Sequence, residues 1–255
     1  METFLPASLS LLLAGLYAWR FARLRRRGRA PGVLRAVSAA LGLALLVGAS
    51  AAPLESRFAT HMLQHLLLGD LGPLLLVLGL TGPLLRPLLA VRAVRALRPL
   101  AHPLVALPLW AFLLVLWHLA PLYDAALRHE GVHALQHLAF FVAGSLLWAA
   151  IVEPLPGPAW FTSAWKLAYV VAMWLVSLTL SQIFIWSGHS YYLRYSLSDQ
   201  RAGGGVMLVE GSFVMVGVVV WLLLRVFRES EARQRLIDSG VAPEAAARAA
   251  RYGRT

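Results

Sequence analysis

The 255-residue sequence contains no cysteine. Disulfides, iron–sulfur clusters, thiolate metal sites and thiol nucleophiles are thereby excluded. Charge is scarce as well: Asp, Glu, Lys and Arg make up 14% of the chain, against about 25% in soluble domains. A soluble globular protein does not have this composition. Nor does a disordered one, which needs low hydrophobicity and high charge. What the chain has instead is apolar sequence: 59% of residues are hydrophobic and the mean hydropathy is +0.69. An all-α, polytopic membrane protein is the remaining class. Acidic residues are the scarcer charge, 12 against 23 basic, for a formal net charge of +11. In a soluble protein that excess would point to nucleic acid. The placement of the basic residues points elsewhere.

Seven apolar runs approach the ~20 residues a helix needs to span a bilayer: roughly 3–22, 33–52, 60–80, 103–120, 132–152, 165–186 and 203–224. Arginines crowd the connections after the first and third runs and the segment after the seventh, and Lys166 opens the sixth. These alternate connections hold 19 of the 23 basic residues; the others hold only Arg57, Arg128, Arg194 and Arg201. Basic residues near span ends favour the cytoplasm, so the charge is a topology signal and no nucleic-acid partner is expected. The first run has its positive cluster after it, the reverse of a signal peptide. The expectation is a seven-helix bundle over 1–227 with the N-terminus outside, and a short cytoplasmic tail, 228–255, suited to lie on anionic lipid. Trp117, Tyr123, Trp148, Trp165, Trp186, Tyr191 and Tyr192 fall near span ends, where amphipathic rings suit the headgroup level.

Of eight histidines, seven fall at the outer face of this topology and only His102 at the inner. His61-Met62-Leu63-Gln64-His65 opens the third run and His133-Ala134-Leu135-Gln136-His137 opens the fifth. Residues four apart share a helical face, so each H-x-L-Q-H motif presents two imidazoles one turn apart, at matching depth. His118 ends the fourth run at the same level, and Met62 adds a thioether. Ionisable residues inside a bilayer are costly and face the bundle interior, and imidazole is the commonest metal ligand. His61, Met62, His65, His118, His133 and His137 are therefore the expected metal-binding residues. Hydrogen bonding between helices is the alternative use of the same side chains.

Imidazole suits Zn, Cu, Fe and Ni, and a thioether favours Cu(I). The sequence has neither the glutamate of H-E-x-x-H nor a nucleophile elbow, and Gly203-Gly204-Gly205 lacks the context of a phosphate loop. No enzyme is expected. A bis-His haem b or quinol-linked electron-transfer protein would take one axial histidine from each motif; the one-turn spacing within each pair does not suit two haems at different depths. Asp70 and Glu210 lie within runs, about 15 Å and 11 Å deep at 1.5 Å per residue. They are candidates for helix packing or for a proton or cation path. A transporter is disfavoured by the lack of an inverted repeat or of helices broken in mid-span. On a regular helix Asp70 lies about 180° from His61, off the histidine stripe. Tyr123, Asp124, Glu130, Asp199 and Gln200 surround the histidines in the outer connections, where an acid can ligate or orient an imidazole.

Several of these segments, in this order, resemble one family. They are His61-Met62-Leu63-Gln64-His65 leading into Gly72-Pro73-Leu74-Leu75-Leu76; Trp117-His118 followed by Leu122-Tyr123-Asp124-Ala125-Ala126-Leu127; His133-Ala134-Leu135-Gln136-His137; and Asp199-Gln200 followed by Gly203. Over most of residues 55–225 the chain resembles the CtaG-type assembly factors of caa3-type cytochrome c oxidase. The resemblance implies a multi-pass protein of the bacterial plasma membrane that matures the oxidase, with oxidase subunits as partners and copper as the metal handled. Glu210 stands where the family pattern often has proline.

Overall fold

The computed structural model describes residues 4–252. Among them are twelve α-helices, one π turn, one 3-10 turn and no strand. The order is α1 (Phe4–Arg25), α2 (Val33–Ala51), α3 (Phe58–Leu66), the π turn Leu67–Leu71, α4 (Gly72–Gly79), α5 (Gly82–Ala90) and α6 (Arg92–Ala96). The 3-10 turn Arg98–Ala101 precedes α7 (Pro103–His118), α8 (Ala120–Arg128), α9 (Glu130–Val152), α10 (Ser163–Trp186), α11 (Leu197–Asp238) and α12 (Pro243–Tyr252).

Five of the described helical stretches are long and apolar enough to cross a membrane: α2, α3 through α4, α9, α10 and α11. The number is six if α7 and α8, bent by 70° at Leu119, form one broken span. Helix α1 is 22 residues long and is not among them. The third run is not uniform. Pro73 has no amide proton for the carbonyl four residues back, at Gly69, so the regular ladder cannot pass this point. The chain passes it in a π turn, with the Gly72 N–H bonded to the Leu67 carbonyl. The run still counts as one 22-residue span, Phe58–Gly79, with the π turn inside it.

In lipid the bundle gains little from burying apolar surface, and close backbone approach takes over as the cohesive device. Gly42 brings α2 onto α4; a β-carbon there would stand 2.6 Å from the Leu76 nitrogen. Gly144 does the same between α9 and the π turn, where a β-carbon would collide with the Gly69 carbonyl oxygen. Two of the three interior clusters among the described residues bear on the site's placement. One surrounds Trp148 and Ile151 with Tyr169, Val170 and Leu222. The other, at the histidine-bearing end, is aromatic: Phe58, Tyr123, Phe184, Tyr192 and Tyr195, with Met62 and Met207. Trp148, Tyr123 and Tyr192, read from sequence as headgroup-level rings, are buried in protein, at most 1% exposed. Trp165 and Trp186 are exposed.

At the arginine-rich end, α9 stops at Glu153, which takes a left-handed conformation (φ 54°). Its buried carboxylate meets the fully buried Lys166 ammonium at 2.7 Å and Arg225 at 3.7 Å. Arg251 of α12 also pairs with it and donates to the carbonyls of Ala159 and Phe161. Helix α11 runs unbroken for 42 residues, roughly 63 Å at 1.5 Å per residue, and α12 folds back onto this cluster.

Candidate metal centre

Helix α3 is placed by another helix. Asp199, in the first turn of α11, accepts the N–H groups of Phe58 (2.6 Å) and Ala59 (3.3 Å). An anion at a helix N-terminus satisfies orphan amides and complements the helix dipole. Each motif glutamine acts as a tie to a neighbour. Buried Gln64 donates to the carbonyl of Ala49 (2.8 Å), and buried Gln136 donates to that of Trp117 (3.4 Å). The glutamines thus fix the azimuth of α3 and α9, and the histidines on either side of each one face inward.

The four motif histidines converge. One ring nitrogen from each of His61, His65, His133 and His137 lies within 4.8 Å of all the others. His61 Nε2 and His133 Nε2 are 3.1 Å apart. Two nitrogens bound at ~2.05 Å to one tetrahedral ion stand about 3.3 Å apart, so this pair needs almost no movement to share one. The second ring nitrogen of His61, Nδ1, is 2.7 Å from the Tyr123 hydroxyl and 3.4 Å from that of Tyr195. Both nitrogens of His65 and the Nε2 of His137 are buried with no hydrogen-bond partner. Glu55 approaches His133 Nδ1 at 4.0 Å.

An aromatic collar closes the site. Tyr123 stacks on Tyr192 with ring centroids 4.1 Å apart. Tyr192 donates to the His118 carbonyl (2.7 Å) and Tyr195 to the Glu55 carbonyl (2.9 Å). Burial pushes the Tyr195 phenol up to about 12 and the Tyr192 phenol higher still. Both therefore stay protonated, as hydrogen-bond donors, at physiological pH. A neutral donor can orient backbone around a cation site without adding charge.

The remaining candidates distribute as follows. His118 lies against His65, ring centroids 6.1 Å apart, outside the four-nitrogen group. Met62 is buried beneath the collar. Asp124 acts on Tyr192 electrostatically and is not among the converging groups. His129 and His189 are exposed and apart, and His102 caps α7 at the opposite end. Asp70 accepts from Trp148 Nε1 at 2.7 Å, yet it lines one cavity with His65 and Glu210. Asp70 lies within the π turn and, as a regular helix also predicts, is not among the converging groups. Gln64, Gln136, Tyr195, Glu55 and Met207 belong to the surroundings of the site and were not singled out from sequence. For the two glutamines the signal was present in their repetition within H-x-L-Q-H.

A family model of the cytochrome c oxidase caa3 assembly factors matches residues 15–229. Uncharacterized proteins of Mycobacterium bovis and Mycobacterium tuberculosis are each 27% identical over 252 residues, covering 86% of this chain. One from Mycobacterium leprae is 24% identical over 249 residues, covering 84%. The chain spans only 37–38% of the length of these relatives. No solved structure matches.

Proposed function

The chain belongs to the cytochrome c oxidase caa3 assembly factor family, and from that premise we propose that it supports copper delivery to the oxidase through the histidine cluster. In this reading the bundle has seven spans in the bacterial plasma membrane, histidines at the outer end and tail in the cytoplasm. Copper is cargo and no reaction is catalysed.

The observation that carries the proposal is the convergence of four buried ring nitrogens within 4.8 Å, contributed by two helices. Imidazoles packed for hydrogen bonding alone would be expected to use their nitrogens; here three of them have no such partner. Imidazole with nearby thioether suits copper better than a hard cation. Copper bound here would be held by His61, His65, His133 and His137, with Tyr123 orienting His61. The haem alternative loses ground on geometry. Axial nitrogens on one iron are about 4 Å apart at ~2 Å each, across a macrocycle. The His61 and His133 nitrogens are 3.1 Å apart, edge to face.

Sidedness has a direct test. Reporter fusions after Arg98 and after Tyr192 should report cytoplasm and exterior respectively, as the arginine distribution requires; the reverse pattern would defeat the assignment. Function is tested in a strain carrying His61→Ala, His65→Ala, His133→Ala and His137→Ala at normal protein level. Copper content and activity of its oxidase should fall severalfold, with partial restoration by added copper. An oxidase with full copper would refute the delivery reading.

A further inference from the structure

Adjoining the four-histidine cluster at His65 lies a cavity of about 50 Å³, room for more than one water-sized occupant. It is reached from the cluster through His65, which borders both. Its other chemically active walls are His118, Met62, Met207, Asp70 and Glu210. They come from four elements: α3, the π turn, α7 and, for Met207 and Glu210, α11, with His65 completing the lining from α3 three residues past Met62.

His118 shows what the cavity is built for. Its Nδ1 lies 2.7 Å from the Leu114 carbonyl. A carbonyl can only accept, so Nδ1 carries the proton and Nε2 of the neutral ring keeps a bare lone pair. That Nε2 is buried and has no partner, on a residue only 7% exposed. A histidine fixed by a carbonyl at one nitrogen, with the other free, is the arrangement that metal-ligating histidines adopt. Met62 and Met207 are buried beside it, 1% and 5% exposed. Both carboxylate oxygens of Glu210 are also buried without a hydrogen-bond partner. An unsatisfied carboxylate, imidazole nitrogen and pair of thioethers around one small void call for a cation, since buried polar groups are otherwise matched within the protein. The donor set selects its class: thioether and imidazole favour a soft monovalent ion over zinc or magnesium.

We propose that this cavity is a second copper station, in which His118 Nε2 and the thioethers of Met62 and Met207 hold Cu(I) in exchange with the four-histidine cluster, and Asp70 and Glu210 supply the counter-charge from below. The ion moves between the two sites as Cu(I), with no change of oxidation state. The inference rests on copper as cargo, but on a different set of ligands. It explains two features that the outer cluster leaves idle. One is an acid at position 210, at mid-bundle. The other is a π turn that carries Asp70 to the cavity wall, as π turns often do at functional sites.

The test is anaerobic Cu(I) titration of the full chain in detergent, against a chromogenic competitor. The wild type should bind two equivalents. Met207→Leu conserves volume and packing; it should weaken one equivalent by at least about tenfold and lower the sulfur contribution to the copper X-ray absorption spectrum, with only the Met62 thioether left. His118→Leu with Met207→Leu should bind one equivalent, and so should His61→Ala with His133→Ala, the latter retaining the sulfur signal. A single wild-type equivalent, abolished by the His61/His133 change and indifferent to the His118/Met207 change, would overturn the second station and leave the outer site standing. A single equivalent with the opposite sensitivity would overturn the outer site and support this one. No binding at all would overturn both. A variant that elutes aggregated is replaced by Met207→Leu alone, whose sulfur signal decides.

Discussion

Glu153→Gln is expected to loosen the arginine-rich end of the bundle and release α12. Among the described residues, Glu153 is the one acid in contact with three cations: Lys166, Arg225 and Arg251. Arg225 has a second acid, Glu229, at 2.7 Å, and Arg251 keeps carbonyl acceptors. Lys166 has neither. Its side chain is fully buried, and no other acid among the described residues pairs with it. Removing one partner of a buried ion pair costs about 3–5 kcal/mol, because the other charge is left uncompensated. Glutamine keeps the shape and removes only the charge, so the effect isolates electrostatics. Two measurements check it: a lowered thermal midpoint of the detergent-purified protein, and new proteolytic cleavage near Gly240, where the chain turns between α11 and α12. Adding Lys166→Met should restore part of the loss, since the stranded charge is gone. An unchanged midpoint and an intact tail in Glu153→Gln would show that the cluster does not hold this end together.

This ion cluster illustrates what could not be read from the chain. Glu153, Lys166, Arg225 and Arg251 are far apart in sequence, and each alone looks like an ordinary residue at the end of a span. Only folding brings them together, with α11 continuing far past its apolar segment and α12 returning. The histidines were legible because their pattern is local. Four-residue spacing fixes a face, and a repeated motif at the same depth fixes a meeting point. The π turn that holds Asp70 was not legible for an equally local reason: Pro73 takes an amide out of the ladder, and the 100° per residue of a regular helix does not hold across the turn that absorbs the break. Tyr123, Tyr192 and Trp148 were assigned to the membrane surface from position along the spans. Position along a helix does not say whether a ring points to lipid or to the interior, and each of these rings has an interior partner: His61, the His118 carbonyl and Asp70.

The graded response of the outer site to substitution follows from the same contacts. His61 sits at the centre of the cluster. Its Nε2 meets His133 at 3.1 Å, its ring lies 4.2 Å from that of His65, and its Nδ1 meets Tyr123 at 2.7 Å. His61→Ala removes a ligand and the contact that aligns His133, and should cost more Cu(I) affinity at this site than any other single change. Tyr123→Phe leaves all four imidazoles in place. It removes the hydroxyl that fixes which His61 nitrogen carries the proton, and a change of this kind costs about 10–100-fold in affinity. Tyr195→Phe should cost less, because its hydroxyl lies 3.4 Å from the same nitrogen and bonds mainly to the Glu55 carbonyl. The expected order of loss is therefore His61→Ala, Tyr123→Phe, Tyr195→Phe. Competitive Cu(I) titration of the purified variants measures it. Equal affinities for Tyr123→Phe and the wild type would mean that His61 Nδ1 plays no part in holding the ion, and that the tyrosine collar serves packing alone.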